Sequence, residues 1–192
     1  LMMDLLHRSR FQFPGMAVGF IRRMLDDAIQ HTSGRVIKGK PLMALDQVKH
    51  QIAGIQNAFT VSSAMCARSA EHSGLEHDLA TSTVEANTMK AYVTDLMHQS
   101  AQTLTQLSGA NGYKMESVAS RGIMDSRPFQ VFEGSNEMLY TQISELVLKT
   151  MNRMKKMNLS EFLKDYNLTR NAADYFDSLL DFKVDINLPQ RK

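Results

Sequence analysis

The stretch VFEGSNEM, residues 131–138, places an acid between an aromatic ring and a glycine, directly before a helical pattern. Most glutamates in proteins face water, so Glu133 could be an exposed loop acid. The alternative is a carboxylate base held in an apolar pocket, with Phe132 as a wall and Gly134 allowing a substrate to come close. The second arrangement would perform proton abstraction, and the residues of this stretch alone leave both open.

Three more segments contain residues that suit a binding site, although each has a plain explanation. Arg10, in RSRFQFPGMAVGF, could be a surface charge before a helix, and Arg35, in GRVIKGKP, could be an ordinary turn residue. The segment QLSGANGY contains Gln106, Gly109 and Ala110, and its glycines could simply end a helix. Taken singly, none of these segments defines a function.

Other kinds of site find little support. The histidines form no i, i+4 pair with a nearby carboxylate of the zinc-protease type, so surface histidines are expected and no metal is predicted. No glycine-rich phosphate loop follows a strand, and no Ser–His–Asp arrangement stands out. The six histidines are His7, His31, His50, His72, His77 and His98.

The composition is that of a globular protein, with 192 residues, 43% hydrophobic and 22% charged. A net charge of +2 gives no electrostatic footprint for nucleic acid. The single cysteine, Cys66, excludes a disulfide within the chain and fits a reducing compartment, so we expect a buried, inert thiol and a cytoplasmic location. No run of about 18 apolar residues predicts a membrane span.

Helical periodicity dominates the chain, and no segment shows sustained strand-like alternation. Four long amphipathic stripes predict an all-α, antiparallel four-helix bundle with essentially no sheet. Pro14 suits the first turn of the first stripe, and Ser135 is a plausible N-cap of the last. The stripes contain Ala17, Ile21, Met24 and Ala28; Leu45, Val48, Ile52, Ile55 and Phe59; Ala86, Met89, Val93, Leu96, Leu104 and Leu107; and Leu139, Ile143, Leu146 and Met154.

Two shorter helices are expected after the last stripe, starting near Ser160 and near Thr169. This pattern predicts a helical bundle over residues 1–157 and a helical C-terminal extension over residues 158–192. Fourteen methionines and no tryptophan suggest methionine as a packing residue between helices.

The order and spacing of the segments together resemble the C-terminal helical domain of the acyl-CoA dehydrogenases. In that family the corresponding motifs resemble Arg-x-x-Phe-Gly-Lys-Pro, Gln-x-x-Gly-Gly-x-Gly-Tyr and Tyr-Glu-Gly-Thr-Asn-Glu-Ile. The resemblance extends from about Leu6 to about Met154 and aligns all three motifs in order.

The resemblance implies an FAD-dependent oxidation of acyl-CoA thioesters to α,β-enoyl-CoA. Glu133 corresponds to the base that removes the α-proton while a hydride leaves the β-carbon for flavin N5. Arg10 corresponds to an arginine close to that carboxylate. Phe132 and Gly134 would lie against the substrate, with Gly134 near the thioester carbonyl.

The resemblance also assigns residues to FAD, largely across a dimer contact. These residues are Arg35, Gln106, Gly109, Ala110, Ser135 and Glu137. A homodimer or homotetramer formed through the bundle and an electron-transfer flavoprotein partner are implied as well. Four positions depart from the usual pattern and alter the expected FAD contacts: Lys38 for Phe, Ala110 for Gly, Met124 for Arg and Ser135 for Thr.

The family also has an N-terminal helical domain and a middle β-domain that do not occur in these 192 residues. We therefore expect a fragment that binds FAD weakly or not at all and has no turnover by itself. Acyl-CoA oxidases share this domain and are one alternative, and a non-enzymatic oligomerisation or interaction module of the same fold is another. A DNA-binding relative is disfavoured by the net charge.

Overall fold

A computed structural model of the protein describes residues 2–155 and 158–164. The contacts between Cα atoms divide the chain into two compact units, Leu1–Ile143 and Ser144–Lys192. All the candidate site residues lie in the first unit, and each unit is considered by itself.

The described residues are mostly helical, as expected. The elements in chain order are α1 (Met2–Arg10), α2 (Phe13–Gly34), β1 (Val36–Ile37), β2 (Lys40–Pro41), α3 (Asp46–His72), α4 (Thr83–Ser108), α5 (Val118–Ser126), α6 (Asn136–Arg153) and α7 (Leu159–Lys164). Short 3-10 turns cover residues 42–44, 109–113 and 127–130. The four predicted stripes correspond to α2, α3, α4 and α6, and Pro14 does lie in the first turn of α2.

Contacts between helix ends establish the helix directions. Ser69, near the end of α3, donates to the carbonyl of Phe11, just before α2, so these two helices run antiparallel. The starts of α4 and α6 meet where Asn136 donates to the carbonyl of Ala91, and further along Asn87 donates to Gln142. The first two turns of α6 therefore run antiparallel to α4, and the predicted all-α, antiparallel bundle is confirmed.

The core of the first unit lies between α2, α3, α4 and α5. The small residues Ala17, Ala28 and Ala101 are fully buried in this core. Larger side chains such as Ile21 and Met97 fill the space between them. Each large apolar side chain buried in this way contributes about 1.5–3 kcal/mol of transfer free energy.

The described residues have almost no sheet, as expected, and the short exception lies in the connection between α2 and α3. Val36 pairs with Pro41 and Ile37 with Lys40 in a two-stranded antiparallel ladder. The two residues of its turn, Lys38 and Gly39, have φ angles of 48° and 78°. Positive φ at both central residues is typical of a two-residue hairpin turn, because it matches the right-handed twist of the strands. Helical periodicity in the sequence does not reveal such a turn.

Two expectations about single residues are wrong. His7 is fully buried rather than solvated, because α1 packs against the start of α4, and its Nδ1 lies 2.6 Å from the carbonyl oxygen of Leu79. Cys66 is half-buried rather than buried. In the described part of the chain, no three His, Cys, Asp or Glu side chains are grouped to hold a metal ion.

The C-terminal residues are only partly described. Helix α7 begins at Leu159, next to the predicted start at Ser160, whereas the helix predicted near Thr169 lies outside the described residues. The division into 1–157 and 158–192 stays a prediction. Within residues 2–155 and 158–164, no helix combines the length and the apolarity needed to cross a bilayer.

Candidate active site

The loop that contains Glu133 joins the 3-10 turn 127–130 to α6. Glu133 has φ of 57° and Gly134 has φ of 95°, so two successive residues adopt left-handed backbone conformations. For a residue with a Cβ atom this conformation costs about 1–2 kcal/mol. The surrounding structure must therefore stabilise this shape of the loop.

One carboxylate oxygen of Glu133 accepts a hydrogen bond, whereas the other has no hydrogen-bond partner among the described residues. Oε1 accepts a hydrogen bond of 2.6 Å from the hydroxyl of Ser9, at the end of α1. Oε2 is buried and has no hydrogen-bond partner among the described residues. A buried carboxylate oxygen with a free lone pair is suited to accept a proton from a ligand.

Arg10 lies next to Glu133 but contacts its backbone rather than its carboxylate. Nε and Nη2 donate to the carbonyl oxygen of Glu133 at 3.2 and 2.8 Å, and Nη1 donates to Oδ1 of Asn87 in α4. The residue is only 6% exposed. Burial lowers the pKa of Arg10, and the nearby charge of Glu133 opposes that shift. The predicted proximity is present, and the cation also fixes the main chain of the loop.

Replacing Gly134 by alanine should destabilise the protein by about 1–3 kcal/mol. A Cβ at this position would lie 3.0 Å from Cδ2 of Leu139 and 3.3 Å from Nη2 of Arg10, in addition to the unfavourable φ. Urea denaturation measures the change, and unchanged stability would contradict the interpretation. Gly19→Ala is the control, because Gly19 is exposed in α2 with open space around it, and there alanine should stabilise by about 0.5–1 kcal/mol.

Lys90 is a site residue that the sequence analysis missed. Its side chain is fully buried, and Nζ donates to the carbonyl oxygen of Gly134 and to Oδ1 of Asn136, both at 2.8 Å. Burial, followed by the charge of Arg10, lowers the pKa of Lys90 to about 8. The sequence did indicate that Lys90 is buried, because Lys90 lies four residues after Ala86 and therefore on the apolar stripe of α4.

Asn136 connects this lysine to a polar network at the start of α6. Its Nδ2 donates to the hydroxyl of Thr94 at 2.9 Å and to the carboxylate of Asp95 at 2.7 Å. Asp95 also accepts from the hydroxyl of Tyr140 at 2.6 Å and from the amide of Gln130 at 2.7 Å. Burial and the bond to Asp95 raise the pKa of Tyr140. These contacts hold the beginning of α6, and thus the preceding loop, against α4.

The buried ammonium predicts an unusual dependence of stability on alkaline pH. Above pH 8 folded Lys90 loses its proton, whereas the unfolded side chain keeps its proton to about pH 10.4. The folded state then binds fewer protons, so the free energy of unfolding should rise with pH between 8 and 10, by at most about 1.4 kcal/mol per pH unit. Above pH 10 Tyr140, with its raised pKa, contributes in the opposite direction.

Lys90→Met should remove this rise, since methionine does not titrate. Urea denaturation at several pH values between 8 and 10 measures it in both proteins. Lys49→Met, at an exposed position in α3, should leave the slope unchanged. Parallel pH profiles for the wild type and Lys90→Met would contradict the assignment.

An apolar cleft lies beside the loop. The ring of Phe132 is 44% exposed and packs against Phe13 and Phe129, with ring centroids 5.7 and 5.4 Å apart. Burial, followed by the charge of Arg127, lowers the pKa of His98. The cleft has a volume of about 550 Å³ and is lined by Phe132, His98, Arg127, Ile123, Met124, Pro128 and Val131. Its lining suits an apolar ligand.

The start of α6 has the features expected of a helix N-terminus. The hydroxyl of Ser135 accepts from the amide of Met138 at 3.4 Å, which is the N-cap contact expected from the sequence. Glu137 lies in the first turn and is exposed.

The other predicted FAD residues lie at the opposite end of the bundle. Arg35, Gly109 and Ala110 line one cleft of about 430 Å³, and Gln106 joins Gly109 and Ala110 in a second cleft of about 530 Å³. Lys90 and Ser108 lie in the same helix, eighteen residues apart, which places these clefts roughly 27 Å from the Glu133 loop. The structure thus divides the predicted cofactor residues into two groups.

The residues that form this helical bundle match a known family. The model of the family described as "Acyl-CoA dehydrogenase, C-terminal domain" matches residues 1–148. The chain therefore belongs to the acyl-CoA dehydrogenase family, as its C-terminal domain.

Curated relatives cover the same part of the chain. Cyclohex-1-ene-1-carbonyl-CoA dehydrogenase of Geobacter metallireducens is 26% identical over 137 residues, 71% of this chain and 36% of that protein. A subunit of the caffeyl-CoA reductase–Etf complex of Acetobacterium woodii is 24% identical over 77% of this chain and 38% of its own length. The chain thus spans somewhat more than a third of the length of these relatives.

Solved structures share the fold. Acyl-CoA dehydrogenase from Geobacillus kaustophilus superposes with a TM-score of 0.69 at 21% identity, over 76% of this chain and 37% of that one. Butyryl-CoA dehydrogenase from Megasphaera elsdenii gives 0.62 at 24% identity, with the same two coverages.

Proposed function

We propose that this domain takes part in the FAD-dependent α,β-dehydrogenation of acyl-CoA thioesters, with Glu133 as the base. The observation that carries the proposal is Oε2 of Glu133, which is buried and has no hydrogen-bond partner among the described residues. Glu133 lies on a loop that cations hold in a left-handed conformation. The curated relatives from Geobacter metallireducens and Acetobacterium woodii are both named after an acyl-CoA thioester. For a saturated acyl-CoA thioester, α,β-dehydrogenation requires removal of the weakly acidic α-proton.

The geometry supports a defined role for each residue. Oε2 of Glu133 takes the α-proton, and the hydroxyl of Ser9 remains on Oε1 to restrict rotation of the carboxylate. Phe132 and the apolar cleft beside it bind the acyl part and exclude water, which strengthens the electrostatic interactions within the site. FAD, when bound, would accept the hydride from the β-carbon.

The residues at the far end fit the phosphate-bearing part of such a cofactor. The guanidinium of Arg35 suits paired hydrogen bonds to a pyrophosphate. Gly109 has φ of 55°, and an added Cβ would meet no atom within 4 Å, so the main chain of this turn is accessible to a ligand. Since the two groups of residues are roughly 27 Å apart along α4, a flavin that touches both would take one group from each of two copies. We therefore also propose a homodimer or homotetramer.

Two further parts of the proposal concern the electron acceptor of the complete protein and the behaviour of the isolated domain. The relative from Acetobacterium woodii is named as part of a complex with Etf, and we propose an electron-transfer flavoprotein as the electron acceptor here too. Because the chain spans 36–38% of its relatives, we infer that the isolated domain binds FAD weakly and does not turn over. A purified isolated chain that is yellow with stoichiometric flavin would contradict the weak binding of FAD.

The experiment that tests the function is anaerobic reduction of bound flavin by acyl-CoA thioesters in the flavin-loaded protein that contains this domain. Bleaching of the flavin absorbance with formation of enoyl-CoA supports dehydrogenation. A subsequent reaction with oxygen that is faster than electron transfer to the flavoprotein would indicate an acyl-CoA oxidase. No bleaching with thioesters of any chain length would favour a non-enzymatic module.

A further inference from the structure

Two buried cations hold two successive carbonyl groups of the Glu133 loop. Arg10, from α1, donates to the carbonyl of Glu133, and Lys90, from α4, donates to the carbonyl of Gly134. The family resemblance assigned a role to Arg10, but it assigned none to Lys90. The mechanism proposed above does not use Lys90 either.

The contact with Lys90 is at the point where the loop can most easily change conformation. Glycine populates positive and negative φ about equally, so the peptide after Gly134 can rotate unless its carbonyl is held. Rotation would leave the Gly134 carbonyl without its charged donor, which is unfavourable for a carbonyl that is partly shielded from water. It would also displace the adjacent Glu133, whose carboxylate has a single hydrogen bond to Ser9 as its side-chain anchor among the described contacts.

Lysine has a property that this position requires. Its ammonium group has three N–H donors, and two of them reach the Gly134 carbonyl and Oδ1 of Asn136 at the same distance, 2.8 Å. One side chain therefore ties the loop to the first residue of α6. Charged donors also form stronger hydrogen bonds than neutral ones.

We propose that Lys90 is a positioning residue for Glu133, fixing the direction of the carboxylate through the backbone of residues 133 and 134. The inference rests on the proposed function, in which Glu133 is the base. Lys90 does not contact the reacting atoms in this proposal. A displacement of about 1 Å at a catalytic group can cost about 100-fold in rate, so the contribution of Lys90 should be visible in kcat.

The test is kinetic, in the flavin-loaded protein with an acyl-CoA substrate. Lys90→Met should lower kcat about 30- to 100-fold while KM changes less than about threefold, because the substrate contacts are unchanged. Lys90→Gln keeps a neutral amide donor group and should recover part of the lost rate. If Lys90→Met does not retain flavin, the kcat of Lys90→Gln tests the inference instead. Lys49→Met, on the exposed face of α3, is the matched control and should behave as wild type.

A double variant distinguishes positioning from a general loss of structure. If Lys90 acts through Glu133, adding Lys90→Met to Glu133→Gln should not lower the residual rate further, because the side chain to be positioned is no longer a base. An equal further loss in the double variant would overturn the inference, as would a Lys90→Met kcat within twofold of wild type. Those results leave the proposed function intact, whereas full activity of Glu133→Gln would overturn the function itself.

Discussion

Replacing Glu133 by glutamine should lower the rate of flavin reduction by an acyl-CoA substrate about 1,000-fold, within the range that general base catalysis contributes. Glutamine has nearly the same size and its amide oxygen can still accept the hydrogen bond from Ser9. What it loses is the ability to take a proton at the buried Oε2 position. The loop and the flavin site should therefore remain intact while the chemical step fails.

Stopped-flow absorbance under anaerobic conditions measures this prediction, with flavin content determined on the same samples. Glu145→Gln serves as the control, since Glu145 is an exposed acid on α6 and should react at the wild-type rate. If Glu133→Gln reduces its flavin within about threefold of wild type, Glu133 is not the base, and the proposed function loses its central residue.

The largest expected effect on stability comes from Asn136→Ala, which should destabilise the protein by about 3 kcal/mol. Asn136 is 4% exposed, and its side chain accepts from Lys90 and donates to Asp95, Thr94 and the carbonyl of Ala91. Alanine would remove one acceptor from a buried ammonium group and one donor from a carboxylate. The ammonium group of Lys90 is fully buried, so the acceptor that it loses is not readily replaced by water.

Denaturation in urea gives the difference in free energy of unfolding between the variant and the wild type. An equal m-value would show that both proteins expose the same amount of surface on unfolding. Asn57→Ala makes the same substitution at an exposed position of α3 and should change stability by less than about 0.5 kcal/mol. Equal, small effects of the two variants would show that the polar network at the start of α6 contributes little to stability.

Variants at Glu133, Asn136 and Lys90 separate three properties of one loop. Glu133→Gln removes the proton acceptor, Asn136→Ala removes the anchor of α6, and Lys90→Met removes the link between them. Because Lys90 contacts both Asn136 and the carbonyl of Gly134, the residue that follows Glu133, the effects of the three variants should not be additive. The oligomeric state and the cytoplasmic location stay predictions that these variants do not address.

The local residue pattern was sufficient to predict the long helices and the position of the acidic loop. Apolar residues at intervals of three and four predict a helix with one buried face, whatever it packs against, and α2, α3, α4 and α6 follow that pattern. Motif order then indicated the family, and Ser135 was recognised as an N-cap from its position before the last stripe. These are local properties, which depend on residues close together in the chain.

The contacts between side chains that are distant in sequence depend on how the helices pack. Ser9 and Lys90 are far from Glu133 in sequence, and no periodicity predicts that α1 and α4 bring a hydroxyl and an ammonium to the same loop. The structure also separated Arg35 and the 109–110 turn from Glu133 by most of the length of α4, although all were predicted to serve one cofactor. The physical reason is that a helix face is set by local spacing, whereas a hydrogen bond between segments is set by how the helices pack.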